Sequence, residues 1–352
     1  MTKEFTVNTQ AFGAGYTLIT LTNPNGTSLS VTDLGARIVS LQTLIAGTKR
    51  ELVLGFDQAQ EYLEKDAYIG ATIGRTAGRI QGGQFTINKQ AYQVTTDEQN
   101  GNNLHGGSPG FESKKWSYEI IELTDALSVT FTYQSPDGEH GFPGNLTTSA
   151  TYTLTQEDVW IAEITGVSDQ DTLFNPTNHV YFNLTGDPSV AIDEHYLFIN
   201  SQTFASLKPD SIPTGEQIPL TNSAFDFSSE KKLAETFAAD DSQKNLVDGI
   251  DHPFFLKETG LDHLAASLIS PKQDVKIDIT TTAPSVVIFT ANFGEQTPEM
   301  HGKKLAHHGG ITFETQVAPG AEQFRQFGSI VLPANEKYTV TTAFQITKFL
   351  PH

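Results

Sequence analysis

The sequence predicts an all-β protein, a large antiparallel sandwich or barrel with few short helices. Apolar and polar residues alternate in many short segments, and this alternation is typical of strands that bury one face. Gly, Pro and Asn separate these segments, as expected for tight turns. Helical periodicity is sparse, so a Rossmann-type α/β fold is not expected.

The first predicted element is a hairpin near the N-terminus. The segment YTLITLT (Tyr16–Thr22) alternates, the turn sequence NPNG follows, and SLSVTDL (28–34) resumes the alternation. NPTNHVYFNL (175–184) is rich in β-branched and aromatic residues and is predicted as a buried strand that carries His179. Further segments show the hairpin pattern and are predicted as paired strands: 85–96, 147–167, 275–281 with 285–293, and 329–346.

The best helix candidate is SSEKKLAETFAADD (228–241), with a Ser cap and with Leu233 and Phe237 on one face. We expect it to be short and peripheral. The glycine-rich segment GATIGRTAGRI (70–80) lacks the spacing of a nucleotide-binding loop. Because no linker, low-complexity stretch or internal repeat divides the chain, residues 1–352 are predicted to form a single domain.

Composition and charge exclude several classes of partner. The net charge is −19, so the field of the protein repels phosphate backbones and anionic membranes, and we expect neither nucleic acid nor membrane as a partner. The sequence contains no cysteine, which excludes disulfides, thiolate metal sites and cysteine nucleophiles. The N-terminal residues do not resemble a signal peptide, and no segment approaches about 18 consecutive apolar residues. We therefore expect a cytoplasmic protein.

Four ionisable residues stand where the periodicity favours other residue types: His105, His179, Asp251 and Glu314. Each also has a structural interpretation. A histidine in a strand is often satisfied by a neighbouring carbonyl, Asp251 is compatible with a simple turn, and Glu314 with a strand face that points to solvent. Together, one carboxylate and one imidazole are sufficient for acid–base chemistry without a metal, provided that the fold brings them together.

A metal-dependent alternative depends on His307 and His308, which lie close to Glu314 in sequence. No HExxH or facial-triad spacing supports it, and adjacent histidines on a strand would point to opposite faces. We therefore predict neither a metal nor a cofactor.

At these residues the sequence resembles the aldose 1-epimerases, the galactose mutarotase family. The motif N-x-T-N-H-x-Y-F-N-L is matched by residues 175–184. Further matches follow along about residues 10–350: IGRTAGRI, NNLHGG, DGEHGFPGNL, GIDHPF, FTANF and FETQ. The resemblance implies a β-sandwich of the galactose mutarotase-like type that holds a sugar in an open cleft.

The resemblance also implies roles for individual residues. Glu314 matches the catalytic base, His179 the catalytic acid and His105 a second catalytic-site histidine near the anomeric hydroxyl. Residues expected to bind the sugar are Arg79, Asp251, Asn103, Tyr181 and Gln316. Either Phe289 or Phe293 is a candidate to cover the apolar face of the sugar, although core packing is the competing role for both.

The chain departs from the family pattern in four places. Gly78 stands where many relatives have Asn, and Val180 where Ser is common. LPANEKY replaces the usual PGE turn, and the usual Asn and Pro after ETQ are absent. The change at Gly78 removes one expected contact to the sugar, while the acid and the base are retained.

The implied reaction is the interconversion of the α and β anomers of free aldohexoses such as D-galactose and D-glucose, within hexose and galactose metabolism. Glu314 would accept the proton of the C1 hydroxyl while His179 protonates the ring oxygen, so activity should fall on both the acid and the alkaline side. Alternatives are a maltose or other disaccharide 1-epimerase, a sugar-phosphate mutarotase, and a non-catalytic sugar-binding or sensor protein. We expect a small-molecule sugar as the partner and either a monomer or a homodimer.

Overall fold

The computed structural model describes residues 4–65, 68–96 and 99–349. The helices are short: α1 (Ala59–Glu64), α2 (Leu233–Phe237) and α3 (Ser242–Val247). Single 3₁₀ turns lie at Gln81–Gly83, Phe111–Ser113, Glu139–Gly141 and Arg325–Phe327. The strands are β1 (Thr6–Gly13), β2 (Tyr16–Thr22), β3 (Ser28–Thr32), β4 (Arg37–Ile45), β5 (Thr48–Glu51), β6 (Thr72–Ile73), β7 (Arg79–Ile80), β8 (Gln84–Ile87), β9 (Gln90–Gln93), β10 (Asn103–Leu104), β11 (Ser117–Glu122), β12 (Ala126–Ser135), β13 (Leu146–Thr155), β14 (Val159–Ser168), β15 (Thr172–Leu173), β16 (Thr177–Asn178), β17 (Tyr181–Phe182), β18 (Tyr196–Ile199), β19 (Ser201–Leu207), β20 (Pro213–Pro219), β21 (Lys231–Lys232), β22 (Asp251–Leu256), β23 (Gly260–Ile269), β24 (Val275–Thr281), β25 (Ser285–Phe289), β26 (Glu299–Met300), β27 (Lys303–Lys304), β28 (Ile311–Thr312), β29 (Glu314–Gln316), β30 (Val331–Leu332) and β31 (Lys337–Lys348).

Three antiparallel sheets form the body of the protein. The first, which we call the central sheet, has the strand order β11-β12-β13-β14-β31-β24-β23-β18-β21. The second contains β1 to β5 in chain order. The third, which we call the cleft sheet, has the order β20-β19-β22-β25-β29. This confirms the all-β prediction, with large antiparallel sheets and few helices.

The core lies between the inner faces of these sheets. Strands β13 and β14 bury alternate side chains, as the period-two pattern predicts. Trp160 of β14 stacks on Phe344 of β31, with ring centroids 4.4 Å apart, and both rings lie near Phe182. Phe182 in turn packs edge-on against Phe313, which precedes the cleft sheet strand β29. The aromatic core therefore supports the backbone that carries the candidate site.

Three of the predicted hairpins are confirmed. Strand β2 pairs with β3, β8 with β9, and β13 with β14. The predicted pairings within 275–293 and 329–346 are wrong. Strand β24 lies in the central sheet and β25 in the cleft sheet, while β30 pairs with β15 and β31 joins the central sheet. Alternation predicts that a segment is a strand, but the chain crosses between sheets at these two turns.

The helix predicted over 228–241 is shorter than expected and has a different N-terminus. Its helical part, α2, begins after Lys232, which provides no side-chain cap. The hydroxyl of Ser228 instead donates to Asp226 Oδ1 at 2.6 Å, in a local turn before the helix. Helix α3 was not predicted, although Asp241 caps it through the N–H groups of Gln243 and Lys244.

Among the described residues, no helix is long and apolar enough to span a membrane.

Candidate functional site

A cleft of about 180 Å³ opens beside the cleft sheet and collects most of the predicted site residues. Its wall contains Arg79, His105, His179, Tyr181, Asp251 and Glu314. These residues come from segments that are far apart in sequence. The fold therefore brings the predicted acid–base pair and both predicted charged sugar-binding residues to one place.

Glu314 begins β29 and pairs there with Val287 of β25. Its side chain is buried, which excludes the interpretation of a solvent-facing carboxylate. Burial raises the pKa of Glu314 to about 7, against the lowering effects of a hydrogen bond from Thr312 Oγ1 (3.0 Å) and of the charge of Arg79. At neutral pH this carboxyl is therefore close to half ionised.

His179 does not lie within a strand, contrary to the prediction. It sits between the two-residue strands β16 and β17. Its backbone is nevertheless held on both sides, because its N–H donates to the Ala71 carbonyl (2.9 Å) and its carbonyl accepts from the Gly70 N–H (2.9 Å). The ring is buried and places Nε2 3.4 Å from Glu314 Oε1.

His105 lies next to His179, with ring centroids 5.2 Å apart and the planes nearly perpendicular. Its φ of 52° is left-handed, and its Nδ1 accepts a hydrogen bond from the Gly78 N–H (3.2 Å). Burial lowers the pKa of His105 well below its ordinary value, and the charges of His179 and Arg79 lower it further. The ring is thus neutral, and Nε2 is its hydrogen-bond donor.

Arg79 and Asp251 face each other across the cleft. The distance from Arg79 Nη1 to Asp251 Oδ2 is 3.9 Å, which is too long for a direct hydrogen bond. Within the described part of the chain, Arg79 Nε is buried and has no hydrogen-bond partner. Burial raises the pKa of Asp251 to about 7, with Arg79 opposing the rise and Glu314 adding to it. Both side chains therefore retain capacity for hydrogen bonds to a ligand.

Asn103 and Gln316 do not reach the cleft wall. Asn103 pairs with Ile80 between β10 and β7, and its Nδ2 donates to the Thr95 carbonyl at 2.7 Å. Gln316 is buried, and its Nε2 lies 3.4 Å from the Ala77 carbonyl. Both residues support the backbone beside the cleft in this structure.

The remaining wall is largely apolar, and most of its residues were not predicted from the sequence. The ring of Tyr68 packs against that of His105, with centroids 4.8 Å apart and the planes tilted by 59°. Phe289 and Phe293 both line the cleft and also contact each other edge-on, at 5.6 Å between centroids, so each has a packing role and an exposed edge. Other apolar wall residues are Leu104, Leu207, Pro213, Pro253, Val287 and Pro319. Val287 and Pro253 lie within β25 and β22, and the other four lie at strand ends or in irregular segments. No periodic signal distinguishes them as wall residues.

Gly78 has a structural reason for its lack of a side chain. Its φ is +78°, and a Cβ placed there would lie 2.4 Å from Pro319 Cγ. Pro319 therefore occupies the space that a side chain at position 78 would need.

The two adjacent histidines occupy a turn, so the expectation of opposite strand faces is wrong. The rings of His307 and His308 lie 3.8 Å apart. Nε2 of His308 donates to the Asp248 carbonyl at 2.7 Å, and Nε2 of His307 lies 3.3 Å from Asp248 Oδ2. Within residues 4–65, 68–96 and 99–349, no three His, Cys, Asp or Glu side chains are arranged to hold a metal ion.

Comparisons with known proteins agree over nearly the whole chain. A sequence model of the aldose 1-epimerase family matches residues 17–345. The aldose 1-epimerase of Haemophilus influenzae is 32% identical over 333 residues, which cover 94% of this chain and 95% of that protein. The galactose mutarotase of Homo sapiens is 34% identical over 302 residues, covering 86% of this chain and 85% of that protein.

Solved structures show the same relationship. The crystal structure of galactose 1-epimerase from Lactobacillus acidophilus matches with a TM-score of 0.88 and 28% identity, covering 98% of this chain and 99% of that one. The aldose epimerase homologue from C. elegans matches with a TM-score of 0.83 and 25% identity, covering 93% and 97%. On this agreement of sequence and fold, the chain belongs to the aldose 1-epimerase family and is an isomerase with a galactose mutarotase-like β fold.

Proposed function

We propose that this isomerase interconverts the α and β anomers of free aldohexoses such as D-galactose and D-glucose, with Glu314 as base and His179 as acid. The observation that carries the proposal is the contact of 3.4 Å between His179 Nε2 and Glu314 Oε1 inside the cleft. This distance is longer than that of a short charge-assisted hydrogen bond. The C1 hydroxyl and the ring oxygen of a bound sugar can therefore replace the direct contact between the two side chains.

The reaction requires two proton movements. Ionised Glu314 accepts the proton of the C1 hydroxyl, and protonated His179 donates a proton to the ring oxygen as the bond from C1 to that oxygen breaks. Rotation about the C1–C2 bond followed by ring closure reverses both transfers and yields the other anomer. Each positioned proton transfer contributes roughly 10²–10⁴ in rate. No cofactor takes part in this sequence.

The other polar wall residues hold the sugar and the developing charge. Neutral His105 donates from Nε2 to the oxygen at C1 as the aldehyde forms. Arg79 and Asp251, separated by 3.9 Å, offer donors and acceptors to neighbouring ring hydroxyls. Tyr181, Phe289 and Phe293 contribute aromatic surface to the same wall.

The charge of the wall favours an uncharged sugar over a sugar phosphate. Of the described residues that line the cleft, Arg79 is the one permanent cation, and it faces Asp251. A phosphate group would meet this single cation together with Asp251 and Glu314. Recognition of phosphate usually requires several donors of positive charge.

Polarimetry on freshly dissolved α-D-glucose, α-D-galactose and maltose tests the proposal. We expect wild-type protein to accelerate the decay of optical rotation, and Glu314→Gln and His179→Asn each to lower kcat/KM by roughly 10²–10⁴. Glu322→Gln is the matched control, because Glu322 is another carboxyl whose pKa burial raises to about 7, and it lies outside this cleft. The ranking of the three sugars identifies the preferred substrate.

Two results would contradict the proposal. One is no acceleration over buffer for any of the sugars. The other is full activity in folded Glu314→Gln or His179→Asn protein. That result would leave mutarotation as the activity but would exclude the substituted residue as base or acid. Circular dichroism and thermal unfolding establish that each variant is folded.

A further inference from the structure

A partly buried hydrogen-bond chain connects helix α3 to two neighbouring strands of the cleft sheet, β19 and β22. Its central residue is Gln243, in the first turn of α3. Gln243 Oε1 accepts from the Leu207 N–H at 2.7 Å, and its Nε2 donates to the Leu207 carbonyl at 3.3 Å. The side-chain amide thus satisfies both backbone groups of Leu207, the last residue of β19. Leu207 lines the cleft.

The same amide oxygen contacts the neighbour of Asp251. His252 is completely buried, and its Nε2 lies 3.2 Å from Gln243 Oε1. Its Nδ1 accepts from the Asp251 N–H at 3.2 Å, so Nε2 must carry the proton and donate to Gln243. Burial lowers the pKa of His252 to about 3, which keeps this ring neutral. The direction of every hydrogen bond in the chain is therefore defined.

The rest of the surroundings limit the freedom of these two residues. The His252 ring packs against the rings of Phe204 and Phe225, at 5.6 and 4.7 Å between centroids. Gln243 is fixed at its backbone, because its N–H donates to Asp241 Oδ1 at 2.8 Å. Strands β19 and β22 are neighbours whose pairing ends at Phe204 and Phe254. Gln243 therefore bridges the two strands beyond their last pair.

We propose that Gln243 is a positioning residue, which acts through Leu207 and His252 to hold the neighbouring ends of β19 and β22 in the arrangement of the cleft wall that binds the sugar. This inference depends on the proposed function, in which Asp251 binds sugar hydroxyls. Gln243 itself does not line the cleft, so its effect must pass through the two residues that it bonds. Loss of the amide changes how well the sugar is bound and leaves Glu314 and His179 in place.

The decisive substitution is Gln243→Met, which keeps the approximate volume and removes the three hydrogen bonds of the side chain. We expect KM for the preferred sugar to rise on the order of tenfold while kcat stays within about twofold of wild type, since uniform binding is lost and the acid–base pair is untouched. Asn245→Ala is the control on the same helix. It removes an exposed hydrogen bond to Asp240 and should leave both kinetic constants unchanged.

A second variant and a double-mutant cycle distinguish a positioning role of Gln243 from a general effect on stability. Gln243→Glu keeps the acceptor oxygen for Leu207 and His252 if the Met variant does not fold, and should raise KM less. In the cycle of Gln243→Met with His252→Leu, the effects on KM should be non-additive, because either change breaks the same chain. A purely structural role would lower the melting temperature with KM unchanged.

The outcomes distinguish this inference from the proposed function. A wild-type KM in folded Gln243→Met and Gln243→Glu proteins, or additive effects in the cycle, would overturn the positioning role while mutarotation stands. Inactive wild-type and Asn245→Ala proteins would overturn the proposed function, and the positioning role with it.

Discussion

At the scale of single residues, the chemistry of the cleft depends on how burial changes two ionisable side chains in opposite ways. Burial raises the pKa of Glu314 to about 7 and lowers that of His105 well below its ordinary value. The first effect makes Glu314 a stronger base than an exposed carboxylate, close to the operating pH. The second keeps His105 neutral, so that in the proposed mechanism it donates a hydrogen bond without competing for the proton that Glu314 and His179 transfer.

If Glu314 is the base, as we propose, the acid limb of the pH profile reports its protonation. As pH falls below about 7, Glu314 gains a proton and loses its function as a base, so kcat/KM should decline from near neutrality rather than from pH 4 to 5. Thr312 Oγ1 donates to this carboxylate and lowers its pKa. Thr312→Val should therefore move the acid limb to higher pH by about one pH unit, the equivalent of one hydrogen bond to a charged group.

Thr312→Ser is the control, because it retains the hydroxyl and should keep the wild-type limb. The measurement is kcat/KM for the preferred sugar between pH 4 and 10. An acid limb that stays at the same pH in the Val variant would show that another group controls it.

His105→Asn tests the neutral donor. Asn tolerates the left-handed backbone at this position but places its amide differently from an imidazole Nε2. We expect kcat to fall by roughly 10²–10³, as for loss of one donor to a developing negative charge, with a smaller change in KM. His301→Asn is the matched control, because His301 also has a positive φ and lies at the surface against Asp57. Equal kcat values for the two variants would show that His105 does not contribute to the reaction rate.

At the scale of elements, the site is assembled from strand ends and very short strands. His179 lies between two strands of two residues each, and Glu314 begins a strand of three. The long strands, by contrast, form the sheets and the core. This division explains which parts of the fold were accessible to prediction.

The alternation in β13 and β14 predicted both strands and their pairing, because a short turn joins them. The alternation in β24 and β25 predicted strands but assigned a false pair, because sheet membership depends on partners more than 50 residues away, such as β31 for β24. Motifs predicted His179, Glu314, His105, Arg79 and Asp251 as site residues, and all five line the cleft. Apolar wall residues such as Leu207 and Pro319 were missed, because only the tertiary structure places them at the cleft.

The turn that carries Arg79 should be sensitive to any side chain at Gly78. Gly78→Ala is destabilised in two ways, by its left-handed φ and by the close contact of its Cβ with Pro319. Gly82→Ala has the unfavourable φ alone, since nothing lies within 4 Å of its Cβ. The left-handed conformation costs roughly 1–2 kcal/mol for a non-glycine residue. We expect Gly82→Ala to lose about that amount of stability and Gly78→Ala to lose more and to raise KM as Arg79 shifts.

Urea unfolding and steady-state kinetics of the two variants test this. Equal losses of stability, or an unchanged KM in Gly78→Ala, would show that the turn adapts without displacing Arg79.

At the scale of the whole molecule, buried ionisable groups make opposing contributions to stability. Burial raises the pKa values of Glu314, Asp251 and Glu322 to about 7, so each binds a proton more tightly in the folded than in the unfolded state. Their contribution to stability therefore falls as pH rises from about 4 to 7. Burial lowers the pKa of His195 to about 4 and that of His252 to about 3. Their contribution rises with pH up to the unfolded value near 6.5.

Glu322→Gln isolates one of these contributions, because Glu322 lies outside the cleft and its Oε1 is buried without a hydrogen-bond partner among the described residues. In the wild type, the ionised carboxyl destabilises the fold above pH 7, whereas near pH 5.5 the folded protein keeps the proton. We therefore compare the free energy of unfolding of the variant with that of the wild type at each pH. The difference, the increment, should be roughly 2 kcal/mol larger in favour of the variant at pH 8 than at pH 5.5. Urea unfolding at the two pH values measures the increment, and Glu216→Gln, at an exposed glutamate, should show none. If the free energies of unfolding of Glu322→Gln and wild type depended on pH in the same way, Glu322 would not keep its proton in the folded state. Neighbouring groups would then stabilise the ionised carboxylate.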